Sequence, residues 1–395
     1  MSNKRDPATR TSHVGRKHRQ SRLVNVPPFR GSTVLLDDTA HMRSPRGKPR
    51  EDYRYGLKGS PTHSALMDLL CDLSGAEECQ LHPSGLAALW NPLVACMKPG
   101  GLIVASDSIY EPARRAIEDV VAKFSGHAIF HAQSSPPTLD ELPMEPSIVY
   151  CESPGSLTFE IQDLAGWVKL AQESNAISMI DNTWATPLGL DALGIGFDID
   201  IQALTKYPSG HSDVLMGATL ASGDVAQRLN RHHHVSGMFA SPDDVFLVSR
   251  GLRTMPHRLA IQDKHGLMVA SWLEAHEKVA EVYHPGLSSH PQHELYKKYF
   301  ASGSGLFSFV LAGADFDNAC RFTDRLEFFG IGYSWGGFES LCLPVDPGAI
   351  ARREHQDYPE AILRLHIGLE SVDDLMDDLA RSLDAHQPDN QTKRS

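Results

Sequence analysis

The sequence predicts an α/β fold: a large domain on a mostly parallel sheet, followed by a smaller C-terminal α+β domain. Short apolar runs alternate with helical patterns between about residues 60 and 222, as expected when crossover helices cover a parallel sheet. From about 246 the pattern changes to a long helical stretch and then isolated apolar runs. The 395 residues suffice for two or three domains at roughly 150 each, and 41% apolar with 22% charged residues is ordinary globular usage.

Residues 1–58 read as an arm contributing to a neighbouring subunit. Within the first thirty, Lys4, Arg5, Arg10, Arg16, Lys17, Arg19, Arg22 and Arg30 face the single acid Asp6, without helix or strand periodicity, so the segment is expected to be mobile or to clasp another subunit. The large domain is assigned to 59–245. Leu66, Leu69, Leu70 and Leu73 fall at helical spacing over 62–74, and Gly75 stops that helix. Strands are expected at 102–106, 128–131, 148–151, 176–180, 199–204 and 214–220, with helices near 111–124 and 163–174. The smaller domain, 246–395, has strand patterns at 306–311 and 340–344. It closes with a helix capped by Ser371, on which Val372, Leu375, Met376, Leu379 and Leu383 form one apolar stripe. The tail after Leu383 is expected to be loose.

The charge balance, 37 Lys and Arg against 49 Asp and Glu, is −12, which argues against nucleic acid or an anionic membrane as the main partner. No apolar run approaches the ~18 residues of a spanning helix, and the first twenty residues hold no secretory apolar core, so a cytoplasmic protein is expected. Six dispersed cysteines without a CxxC pair fit neither a disulfide scaffold nor a zinc ribbon. His232, His233 and His234 are consecutive and point apart on a helix, so no metal site is expected. A dinucleotide fingerprint is also missing, because Gly194 and Gly196, like Gly303 and Gly305, lack a third glycine at the required spacing.

Four fragments carry candidate chemistry. The apolar run at 199–204 ends in Thr205 and Lys206 before a turn, and a lysine partly desolvated at a strand end can act as an amine nucleophile. The run at 176–180 ends in Asp181, whose carboxylate, if buried, needs a partner such as a pyridinium N–H. Ser84, Gly85 and Leu86 open a helical stretch whose N–H groups and dipole attract a phosphate. Tyr110 follows the strand 102–106 and offers a face to a planar ring. Each fragment alone has an ordinary reading: a solvated lysine, a turn, an empty helix start, a packed loop tyrosine. Together they match pyridoxal phosphate, with phosphate, ring face, ring nitrogen and aldehyde each provided for.

The segments ESPGS (152–156), IDNTWATP (180–187), ALTKYPSGHSD (203–213), SGLFSFVL (304–311), YSWGGFESL (333–341) and LRLHIGLE (363–370) occur in an order that resembles the Cys/Met-metabolism pyridoxal-phosphate enzymes, in particular their β-lyase branch. The similarity runs from about Thr11 to Leu383. It implies a fold-type-I architecture and a homotetramer built from catalytic dimers. By that resemblance Lys206 carries the cofactor, Asp181 meets the pyridine nitrogen, and Tyr110 stacks on the ring and takes part in proton transfer. Gly85, Leu86 and Thr205 contact the phosphate, with Tyr55 supplied by the neighbouring subunit. Arg364 grips the carboxylate of a small amino-acid substrate, and Ser334 and Trp335 form the substrate-side loop. The implied reaction is α,β-elimination at a carbon–sulfur bond. The alternatives are γ-elimination or γ-replacement and a catalytically inactive binding protein.

Two departures stand out. The family's Tyr-x-Arg at the intersubunit phosphate contact is here Tyr55-Gly56-Leu57-Lys58, which puts a point charge near the place of a bidentate fork. The Ser-x-Thr-Lys before the cofactor lysine becomes Ala203-Leu204-Thr205-Lys206, which removes one hydroxyl.

Overall fold

The computed structural model describes residues 5–19, 22–45, 47, 50–350, 353, 358–359 and 361–386. Seven strands form the large sheet: β1 (Glu78–His82), β2 (Leu102–Ser106), β3 (His127–His131), β4 (Pro146–Glu152), β5 (Ile177–Asp181), β6 (Ile199–Gln202) and β7 (Gly217–Ala221). Their spatial order is β1-β7-β6-β5-β4-β2-β3. Strands β6, β5, β4, β2 and β3 pair in parallel, and β7 is antiparallel to both β6 and β1. Reversing β7 alone leaves β1 pointing the same way as the parallel strands, so all six end at one edge. The expected mostly parallel sheet is therefore present.

The smaller domain carries β8 (Val279–Tyr283), β9 (Leu306–Leu311), β10 (Leu341–Pro344) and β11 (Ile362–His366), all antiparallel in the order β10-β11-β9-β8. The closing helix Val372–Ala385 starts at Ser371, whose side chain caps it, and buries Leu375, Leu379 and Leu383 in this domain's core. It continues two residues beyond Leu383, and the tail from 387 lies outside the described residues.

Apolar clusters lie against the large sheet, one around Leu89, Leu93 and Ile117 and another around Trp167 and Val168. The continuous apolar strands expected of a sheet covered on two faces follow from this burial. Strand β1 was not anticipated, because Gln80 and His82 interrupt its apolar pattern. In the structure both are buried and satisfied by one another's neighbours: Gln80 Nε2 donates to Asn230 Oδ1 at 2.8 Å, Thr219 Oγ1 donates to Gln80 Oε1 at 3.1 Å, and His82 Nε2 lies 2.9 Å from Thr219 Oγ1. The sheet thus provides the hydrogen bonds that make these polar residues tolerable inside.

The basic N-terminal segment carries a helix that its sequence periodicity does not signal. Pro7–His13 is helical and packs on the helix Pro61–Ser74 of its own chain. Acids on that helix hold it: Arg10 Nε meets Asp72 at 2.8 Å, and Lys17, His18 and Arg50 converge on Asp68 at 2.9, 2.7 and 2.9 Å. Charge pairing that depends on tertiary proximity orders a segment with no periodicity of its own.

Trp167 is fully buried and its Nε1 donates to Ser134 O at 3.1 Å. Trp167→Ala removes its packing and one of the two hydrogen bonds to that carbonyl, which keeps the Asp163 N–H at 2.9 Å, at a cost of ~3–5 kcal/mol. A lowered urea midpoint with unchanged slope is the expected result, and an unchanged midpoint contradicts it.

Candidate active site

The C-terminal ends of the parallel strands face one crevice, where open α/β sheets bind ligands. From β5 comes Asp181, from β4 Glu152, and from the chain after β6 Thr205 and Lys206. After β2 comes Tyr110, and after β1 the helix Gly85–Cys96. The smaller domain contributes Arg364 from β11 and the loop 332–337.

Lys206 Nζ donates to Ser334 Oγ at 2.9 Å and stands 5.0 Å from the centroid of the Trp335 ring. Burial, with the nearby Arg364 cation adding to it, lowers its pKa from the usual lysine range to about 8, against an opposing pull from Asp181. A fall from 10.5 to about 8 raises the free-amine fraction at neutral pH by roughly two orders of magnitude. The amine is poised as a nucleophile or base.

Asp181 is held by the backbone N–H of Thr183 at 3.0 Å. Burial raises its pKa despite that bond and the Lys206 charge. It pairs in register with Glu152 across β4 and β5, so two carboxyl groups end adjacent strands. Glu152 accepts the backbone N–H of Tyr110 at 2.6 Å, and burial beside Asp181 pushes its pKa up strongly. Tyr110 is 48% exposed, and its phenol is raised first by burial and then by the carboxylates of Glu152 and Asp181. It therefore remains a proton donor at neutral pH.

Gly85 and Leu86 begin their helix with N–H groups that have no acceptor among the described hydrogen bonds, since the Ser84 side chain and carbonyl take Ala87 and Ala88 instead. A Cβ on Gly85 would lie 2.7 Å from the Ala203 Cβ, so glycine is required there. Thr205 Oγ1 is engaged with Met216, donating to its carbonyl at 3.2 Å and accepting its N–H at 3.0 Å. Tyr55 is 53% exposed, in a bridge with Thr33.

Arg364 is 9% exposed, and its Nη2 donates to the carbonyls of Gly332, Tyr333 and Ser334 at 3.2, 3.3 and 3.1 Å. Burial lowers its pKa to about 10. The same loop presses on the lysine. Gly336 has φ +86°, and a Cβ there would lie 2.8 Å from Tyr207 N and 3.0 Å from Lys206 Cα, so a side chain at 336 would displace the lysine. Ser334 therefore meets Lys206 through its hydroxyl and Arg364 through its carbonyl.

All ten sequence-derived candidates are placed: Lys206, Ser334, Trp335 and Arg364 adjoin one another, Asp181 and Tyr110 line the same strand edge, and Tyr55 lies on the N-terminal segment. Sequence reasoning missed Glu152 and His366. An acid directly ending an apolar strand, the feature that singled out Asp181, also marks Glu152 within ESPGS.

Residues 8–384 match the Cys/Met metabolism PLP-dependent enzyme family, and the chain belongs to it. It is 38% identical over 386 residues to a putative cystathionine beta-lyase of Rhizobium johnstonii, covering 95% of this chain and 96% of that protein. Identity to cystathionine beta-lyase MetC of Escherichia coli K12 is 36% over 364 residues, covering 90% and 92%. Among solved structures, cystathionine gamma synthase from Xanthomonas oryzae pv. oryzae in complex with cystathionine superposes with TM-score 0.88 at 29% identity, covering 96% of this chain and 98% of that one. The architecture is that of the fold-type-I pyridoxal-phosphate enzymes. The residues present fit the cofactor: two N–H groups without an acceptor among the described residues open a twelve-residue helix, the Asp181 carboxylate forms no ion pair among the described residues, and an amine with lowered pKa stands in the same crevice.

In the cofactor-free protein the Lys206 amine is half deprotonated near pH 8 and free above it. Its trapping by pyridoxal phosphate and borohydride is expected to rise through about pH 8, whereas a midpoint at ordinary lysine values contradicts the burial argument.

Proposed function

We propose that this enzyme is a carbon–sulfur β-lyase that cleaves cystathionine, or a related cysteine S-conjugate, to a thiol such as homocysteine, pyruvate and ammonia. The observation that carries this reading is the convergence of Lys206 and Arg364 on Ser334, which sets a base and a carboxylate-binding group on one loop. The similarity to proteins named cystathionine beta-lyase supports it.

Pyridoxal phosphate, when bound, supplies a sink for the electron pair left on the substrate Cα. Lys206 would hold it covalently, Asp181 would face its ring nitrogen, Tyr110 its ring, and Gly85, Leu86 and Thr205 its phosphate, with Tyr55 reaching the phosphate of a neighbouring copy in a cytoplasmic homotetramer. Arg364 takes the substrate carboxylate in place of its three backbone carbonyls, as a planar guanidinium suits. Fixing the carboxylate sets which Cα bond faces the base. Lys206, once displaced by the substrate amine, removes the Cα proton. The Cβ–S bond then breaks with its electron pair on sulfur, and the thiolate takes a proton from Tyr110 or Lys206. The unsaturated amino acid released takes up one water and gives pyruvate and ammonia. Trp335 faces the lysine from the substrate side.

The likeness to a γ-synthase structure keeps one rival in view, γ-elimination or γ-replacement. Purified enzyme given cystathionine is expected to form pyruvate, while 2-oxobutyrate as the main keto acid overturns the β-lyase reading. Leu57→Arg restores a bidentate donor near Tyr55, and we expect slower cofactor loss on dialysis, by roughly three- to tenfold for one charge-assisted bond. Unchanged retention argues against a weakened phosphate grip.

A further inference from the structure

We infer that His366 is a positioning residue for the reaction, holding the loop 332–337 in place through the lone pair of its Nε2. The inference rests on the roles proposed above for Arg364 and Ser334. His366 and Arg364 are two residues apart on β11, so their side chains leave the same face of the strand. Arg364 takes the carbonyls of Gly332, Tyr333 and Ser334, and His366 takes the next part of the loop: Gly336 N–H donates to Nε2 at 3.1 Å. The Gly337 carbonyl lies 3.3 Å from the same nitrogen. One strand face thus clamps the loop at both ends, by donors at 332–334 and by an acceptor at 336.

The imidazole also supports the site from below. Its ring is 6.0 Å from that of Tyr207, which meets the Trp335 ring at 5.5 Å and directly follows Lys206. Accepting at Nε2 requires a neutral ring with its proton on Nδ1. His366 is fully buried, and burial, opposed by the Gly337 carbonyl and aided by the Arg364 and Lys206 cations, lowers its pKa to about 3, so the ring stays neutral at working pH. Nδ1 has no partner among the described residues. That unpaired nitrogen is a cost an apolar side chain would avoid, which leaves the bond to Gly336 as the ring's contribution.

The test compares two amides of different reach in the holoenzyme. His366→Gln places an oxygen where Nε2 stands, and KM is expected to stay within about threefold of wild type. His366→Asn keeps a buried amide but falls short of Gly336. Its KM should rise roughly tenfold, with kcat within about threefold, as expected for loss of about one buried hydrogen bond. Hydrogen exchange of the peptide spanning 332–338, followed by mass spectrometry with and without cofactor, should quicken in His366→Asn alone. Equal KM and equal exchange in the two variants overturn the inference. A His366→Gln variant that is unfolded, or folded with KM raised as far, also overturns it. If His366→Asn does not fold, His366→Gln decides alone, and wild-type KM and exchange support the inference. Failure of the β-lyase reading looks different: wild type then yields no pyruvate, while the exchange contrast between the variants persists.

Discussion

The site depends on keeping one lysine amine out of water. Removing an ammonium from solvent is unfavourable, and the protein makes it more so by placing the Arg364 cation nearby, so the proton on Lys206 is held loosely. Asp181 works in the other direction and prevents the shift from running further. An amine that loses its proton nearer to neutrality results from this balance, and it exists only because the turn after β6, the loop 332–337 and β11 close on the same point.

Burial leaves several charged groups with less than their usual compensation. Arg364 donates to backbone carbonyls where an ion pair would be stronger, and Asp181 and Glu152 end adjacent strands side by side. Such an arrangement is poorly suited to stability alone, since buried charges are costly without partners. It is well suited to a ligand that brings a cationic ring N–H to one acid and a carboxylate to the arginine. The groups least satisfied by the fold are those assigned to cofactor and substrate.

The two domains divide this work. The parallel sheet sends its strand ends to one edge and so presents the helix start at Gly85, Asp181, Tyr110 and Lys206 from one frame. The antiparallel sheet supplies Arg364 and His366 from a single strand and uses them to shape a loop that lies on the lysine. Gly336 is the contact where the two halves approach too closely for any side chain.

Much of this was legible in the chain itself. Apolar runs punctuated by turns marked the parallel strands, the Ser371 cap marked the last helix, and Lys206, Asp181, Gly85 and Tyr110 stood out because strand ends and helix starts are local patterns. Strand β1 was hidden because Gln80 and His82 look exposed until Thr219 and Asn230 are brought to them. The helix in the N-terminal arm has no local signal because its order comes from Asp68 and Asp72, some fifty to sixty residues away in sequence. Glu152 carries the same local mark as Asp181, an acid ending an apolar strand, whereas His366 carries none: its place is set by a 3.1 Å contact to Gly336, thirty residues away in sequence. Local order is written in nearest neighbours along the chain, whereas proton affinity and loop placement come from groups distant in sequence that burial forces together.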